Sequence, residues 1–115
     1  MLPRERRLSR PADVRAVLRR GRRHAGDCTV VHVRDREDSA PGRMTAVASK
    51  RVGNAVERNR AKRVLRAATA EVGMADGVDV ALVARQRAVT ASSNEVAAEL
   101  RRMFPAGVGR TETSS

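Results

Sequence analysis

SKRVGNAVERNRAKRVLRA, residues 49–67, holds seven cations, Lys50, Arg51, Arg58, Arg60, Lys62, Arg63 and Arg66, against a single acid, Glu57. The Gly53-Asn54 pair breaks the backbone after the first two cations, and from Asn54 onward nothing opposes a helix. At about 100° per residue, Arg58, Lys62 and Arg66 stack one turn apart on one face, with Arg63 beside them. Ala61, Val64, Leu65, Ala68 and Val72 fall on the opposite face. One side of this helix suits a core and the other suits dense negative charge. A solvated face normally mixes signs at i, i+4, whereas three like charges at that spacing cost helix stability, so the pattern asks for an anionic partner. The amides around Asn54 would lie at the helix N-terminus, where anions bind readily. Asn59, between Arg58 and Arg60, can donate or accept at a base edge or a 2′-hydroxyl.

On the N-terminal side of this helix, residues 44–48 (MTAVA) read as a strand and the acidic residues 35–42, ending in Pro-Gly, as its connection. Residues 28–34 (CTVVHVR) are rich in β-branched side chains and read as a strand. Alternation puts Thr29, Val31 and Val33 on one face, and Cys28, Val30 and His32 on the other. Residues 22–25 read as a short strand, with Gly26-Asp27 a turn. Before them, Ser9 or Arg10 caps a helix with Pro11 in its first turn. Val14, Val17 and Leu18 recur at i, i+3, i+4 and carry that helix to about Arg20, where Gly21 fits a left-handed stop. Residues 1–10 read as a mobile basic arm.

On the C-terminal side, the glycines within 72–77 stop the basic helix. Residues 78–84 (VDVALVA) form the most strongly β segment and a central strand, with Arg85, Gln86 and Arg87 at its exit. Residues 90–94 make a polar turn with good N-caps. Val96, Leu100, Met103 and Phe104 then mark a helix over 95–104 that Pro105 ends. Residues 106–115 read as a disordered tail, leaving one domain over 1–105. The order αβββαβα predicts an α+β fold, a two-layer sandwich of one sheet with helices on it. The strands at 44–48 and 78–84 flank a helix, as parallel neighbours do; the general rule makes such a crossover right-handed.

A chain of 115 residues is one domain at most. Its 24 Lys+Arg against 13 Asp+Glu leave a net charge of +11. That excess points to a polyanion, most often nucleic acid and less often an anionic membrane surface. Only Lys50 and Lys62 are lysines; arginine's planar fork pairs bidentately with phosphate and stacks on bases, although a GC-rich genome also favours it. With one Phe, no Trp and no Tyr, the core must be built from Val, Ala and Leu. No apolar run approaches the roughly 18 residues of a membrane span. The basic N-terminus has no apolar stretch behind it, unlike a secretory signal. The lone Cys28 excludes an internal disulfide and fits a reducing cytoplasm.

Protein-based catalysis finds little support. No close pair of acids stands at the end of an expected strand, as two Mg²⁺ ions would require; Asp35, Glu37 and Asp38 read as a solvated loop. His24, His32 and Cys28 lack the spacing of a zinc site. Nothing orients Ser49 and Lys50 as nucleophile and base, and Gly53 alone does not make a phosphate loop.

The opening stretch closely resembles the RNR signature of the bacterial ribonuclease P protein family, whose core is G-N-A-V-x-R-N-R-x-K-R. Gly53, Asn54, Ala55, Val56, Arg58, Asn59, Arg60, Lys62 and Arg63 match, as does Arg66. The RL-x-R opening (Arg7, Leu8, Arg10), the first helix closing on a glycine, the VDVALVAR strand and the final helix extend the likeness over nearly the whole chain. The resemblance implies the auxiliary subunit of a tRNA 5′-maturing endoribonuclease whose catalytic component is RNA. The protein alone would not cut. The RNA would hydrolyse the phosphodiester at the 5′ end of precursor tRNA with Mg²⁺ bound mainly by itself, and the protein alone would hold no metal. The resemblance also implies a mixed four-stranded sheet with a left-handed crossover around the RNR helix, against the general rule.

By the same resemblance Lys50, Arg51, Asn54, Arg58, Asn59, Arg60, Lys62, Arg63 and Arg66 would face the catalytic RNA. Val14, Leu18 and His32 would stand in a cleft for the 5′ leader, where many relatives place two Phe and one Tyr. Stacking on an aromatic is worth about 1–3 kcal/mol per base, which Val and Leu cannot supply, so leader binding would lean on arginine charge and apolar contact. Val14 and Leu18 read equally well as core residues under the first helix. The implied partners are the ribonuclease P RNA and the precursor tRNA leader, with no membrane and no protein partner. The alternative is a generic basic RNA-binding protein, for example ribosome-associated, with no catalytic RNA.

Overall fold

The computed structural model describes residues 4–110. In order they form a 3-10 turn (Arg4–Arg6), α1 (Pro11–Arg20), β1 (Arg22–Ala25), β2 (Thr29–Asp35), β3 (Arg43–Val47), α2 (Ala55–Val72), β4 (Val78–Ala84), a second 3-10 turn (Gln86–Val89) and α3 (Ser93–Met103). The sheet order is β1-β2-β4-β3. β3 runs parallel to β4, and the other pairs are antiparallel. The molecule is thus α+β, with a four-stranded mixed sheet and three helices.

β4 sits inside the sheet because VDVALVA has no polar face to give to solvent, apart from Asp79; every residue from Val78 to Leu82 is buried. Its even-numbered side chains, Val80 and Leu82, join Val31 and Val33 under α2 and α3, where Leu65, Val96, Leu100 and Phe104 close the main core. Ala81 points the other way and meets Val17 of α1 and Leu8 in a smaller cluster flanked by Val14 and Leu18. Helices therefore cover both faces of the sheet, α1 alone on one side, which adds a layer to the sandwich read from the sequence.

Three expectations are corrected. Residues 4–10 of the basic arm are docked: Leu8 is 2% exposed, its amide donates to the Met44 carbonyl at 2.8 Å, and Arg7 bridges Met44 in parallel. β3 is an edge strand, and this segment covers part of its open side. Residues 1–3 lie outside the described part. The tail is ordered over 106–110, because Val108 fills an apolar gap beside Ala75 and Val78 and is fully buried. Its amide donates to the Gly73 carbonyl at 2.9 Å and its carbonyl accepts from Ala75 at 3.0 Å; residues 111–115 are outside the described part. Gly21 ends α1 in an extended conformation (φ −70°, ψ 155°), not a left-handed one. Glycine is needed there for space, since a Cβ would press on the Val17 and Val33 carbonyl oxygens.

Two buried carboxylates tie elements together. Asp79 (1% exposed side chain) receives Arg36 at 2.7 Å and Arg43 at 2.8 Å, joining β4 to the β2–β3 connection and to β3. Glu99 of α3 accepts the backbone amides of Asp27, Cys28 and Thr29 at 2.9–3.2 Å, clamping the β1–β2 turn. Among the described residues no buried side-chain polar atom lacks a partner.

Candidate nucleic-acid interface

The start of α2 is locked by its own side chains. Asn54 Oδ1 accepts from the Glu57 amide, and Glu57 Oε1 accepts from the Asn54 amide, both at 2.9 Å, a reciprocal capping box. Gly53 precedes it at φ +152°, where a Cβ would collide with the Glu57 carboxylate; this is the physical need behind the Gly-Asn pair. The box also changes what this end offers an anion, because two of its amides are already bonded and Glu57 adds a negative charge. Upstream, Val52 is buried and its amide donates to the Ser49 carbonyl at 3.0 Å. That turn pins the backbone and leaves Lys50 and Arg51 exposed.

Ala61, Val64, Leu65 and Ala68 are buried as the helical spacing requires, joined by Thr69, whose hydroxyl is absorbed by the Leu65 carbonyl at 2.8 Å. Val72 is only partly buried. On the other side Arg63, Arg66 and Asn59 are exposed, and Arg58 and Lys62 are half-buried along their stems. Among the described residues no carboxylate pairs with Lys50, Arg51, Arg58, Lys62, Arg63 or Arg66, while acids elsewhere do hold arginines. Arg60 differs: its Nε donates to the Val89 carbonyl at 2.7 Å, fastening α2 to the 3-10 turn after β4. Two of the nine residues assigned to RNA, Asn54 and Arg60, thus also serve the fold. Sequence reasoning overlooked Val56, which stands 76% exposed on the first turn of α2; its only sequence mark is that it falls on neither face of the helix.

Val14, Leu18 and His32 share the α1 side of the sheet. His32 is the cross-strand neighbour of Ala81, against whose cluster Val14 and Leu18 pack. All three are half-buried, so packing leaves part of each accessible. His24 lies on the opposite face, its ring edge-on to Phe104 at 5.1 Å, so the sheet separates the two histidines. Burial, and then Arg23, lowers the His32 pKa; burial, and then Arg22, lowers that of His24. Burial, followed by the Glu99 charge, raises that of the Cys28 thiol. Among the described residues no group of three His, Cys, Asp or Glu is placed to hold a metal ion, and no helix is long and apolar enough to cross a membrane.

A mixed sheet backing an unpaired cationic helix defines a small basic RNA-binding protein. The family model for ribonuclease P matches residues 2–106. The ribonuclease P protein component of Micrococcus luteus is 41% identical over 120 residues, covering 96% of this chain and 90% of that protein. The component from Clavibacter michiganensis is 44% identical over 70 residues, 61% of this chain and 62% of that protein. The solved ribonuclease P protein of Staphylococcus aureus superposes with a TM-score of 0.70 at 26% identity, over 84% of this chain and 90% of that one. The chain belongs to the ribonuclease P protein family, and its role is that of a protein subunit in this tRNA-processing ribonuclease.

Proposed function

We propose that the protein binds the catalytic RNA of ribonuclease P through the 49–52 turn and the cationic face of α2. In this reading it steadies the 5′ leader of precursor tRNA on the α1 side of the sheet, assisting release of the mature tRNA 5′ end. The observation that carries the reading is the set of cations Arg58, Lys62, Arg63 and Arg66, held in register by a capped helix and paired with no carboxylate among the described residues. Such a face is costly unless phosphate neutralises it. The half-buried Val14, Leu18 and His32 offer the leader apolar contact and one flat ring, with Arg23 beside His32 to meet phosphate.

The chemistry in this reading belongs to the RNA, in a cytoplasmic ribonucleoprotein. The acids that a hydrolytic metal would need are committed elsewhere: Asp79 and Asp38 to arginines, Glu57 to the cap, Glu99 to three amides. The divalent ions that assist hydrolysis would be held by the RNA. The test is reconstitution. The purified chain alone should leave precursor tRNA intact, and adding ribonuclease P RNA should restore 5′ cleavage at low Mg²⁺. Defined 5′ ends produced by the protein alone would overturn the reading. Equal affinity of the reconstituted particle for precursor and mature tRNA would favour a generic RNA-binding role instead.

A further inference from the structure

We propose that the cleft at the open edge of β3 takes one unstacked nucleotide of the RNA partner, its base on an aliphatic floor and its phosphates on Arg63 and Arg66. The inference rests on the RNA-binding reading above and adds a binding site to it. The cleft has a volume of about 710 Å³ and wraps around the sheet edge, between the docked N-terminal segment, α1, β3 and α2. Leu8, Val14, Met44 and Ala67 make the floor, and Ser9 and Thr45 bring hydroxyl groups to its walls. Arg63 and Arg66 stand at the rim from the cationic face of α2, both exposed and neither paired with a carboxylate among the described residues.

This division of chemistry matches a nucleotide: an apolar flat face for the base, hydroxyl partners for the sugar, and guanidinium forks for the phosphate. The volume exceeds what a lone phosphate needs. The floor is dry enough to reward a base, because Leu8 is 2% and Met44 3% exposed. The chain's single aromatic, Phe104, is buried in the main core on the other side; the planar partner for the base is therefore an arginine at the rim, which stacks as well as pairs. The site differs from the α1 face assigned to the leader, since Val14 lines both but Leu18 and His32 do not line the cleft. It also differs from a simple phosphate track, which would need no cavity. The nucleotide can come from the catalytic RNA or from the leader, and the experiment separates these sources.

Ala67→Leu fills the floor from an exposed helical position while leaving charge and helix propensity intact. Affinities of the full chain for ribonuclease P RNA, and of the reconstituted particle for precursor tRNA, would be measured across a salt series. The expected result is a loss of about tenfold for one of the two, the size of one lost base contact, with an unchanged salt slope. The RNA that loses affinity is the source of the nucleotide. Thr45→Val, nearly isosteric, should weaken the same RNA by a few-fold and guards against a folding defect in the first variant. Unaltered affinities for both RNAs in an Ala67→Leu protein that melts like the parent would overturn this site and leave the RNA-binding reading standing. Failure of the parent chain to bind either RNA would remove both.

Discussion

Arg60 Nε donates to the Val89 carbonyl, while Arg58, two residues earlier, meets no acceptor among the described residues. The difference is one of angle: Arg60 leans toward the side of α2 where the 3-10 turn after β4 passes, and Arg58 leans away from it. Replacing Arg60 with Ala should cost about 1 kcal/mol, the usual worth of such a bond, seen as a lower urea midpoint with an unchanged slope. The histidines make a second residue-scale case. Burial and neighbouring arginines keep His24 and His32 neutral below their ordinary pKa of 6.5. The unfolded chain takes up protons near 6.5 before the folded one does. Their contribution is therefore fully present above that pH and is lost as pH falls through the lowered values. Melting temperature should drop from about pH 7.5 to about pH 5.5, and the double change His24→Gln, His32→Gln should flatten that part of the profile.

Among elements, α2 and β4 were the most legible. The apolar stripe Ala61, Val64, Leu65, Ala68 is set by helical spacing alone, and β4 spans the residues 78–84 that the sequence marked. Both signals are local and uninterrupted. What joins the elements was not legible. Asp79 sits within the most hydrophobic strand, and its partners Arg36 and Arg43 are 43 and 36 residues away in the chain. No periodicity reports a pairing at that distance; one acid inside a β run was the only trace. Asp79→Asn would leave two guanidinium groups facing a buried site without their counter-charge. Loss of one partner of a buried pair typically costs about 3–5 kcal/mol; partial exposure of Arg43 places this case near the lower end. Denaturant unfolding measures it, and a cost below about 1 kcal/mol would show that solvent already screens the cluster.

At the scale of the whole molecule, the +11 charge is unevenly used. Arginines near the loops close ion pairs or carbonyl contacts, as Arg36, Arg43, Arg85 and Arg87 do, whereas the outer face of α2 keeps its charge for a partner. Affinity for ribonuclease P RNA should therefore fall steeply with salt. Changing Arg58, Arg63 and Arg66 together to Ala should reduce the slope of log affinity against log salt by about 2 to 3; an intact slope would place the contact elsewhere. The sequence concealed how both chain ends are held. Leu8 and Val108 are single apolar residues in polar surroundings, and their burial depends on gaps that exist only once β3 and the α2–β4 connection are in place. The strand order carries a consequence for synthesis. β4 lies between β2 and β3 yet is made after both, so on the ribosome β1 and β2 can pair as they emerge while β3 has no neighbour. The dry side of α2 waits with it. Nascent chains pass through an interval with an open strand and an apolar helix face exposed, and that interval ends only when residues 78–84 leave the exit tunnel.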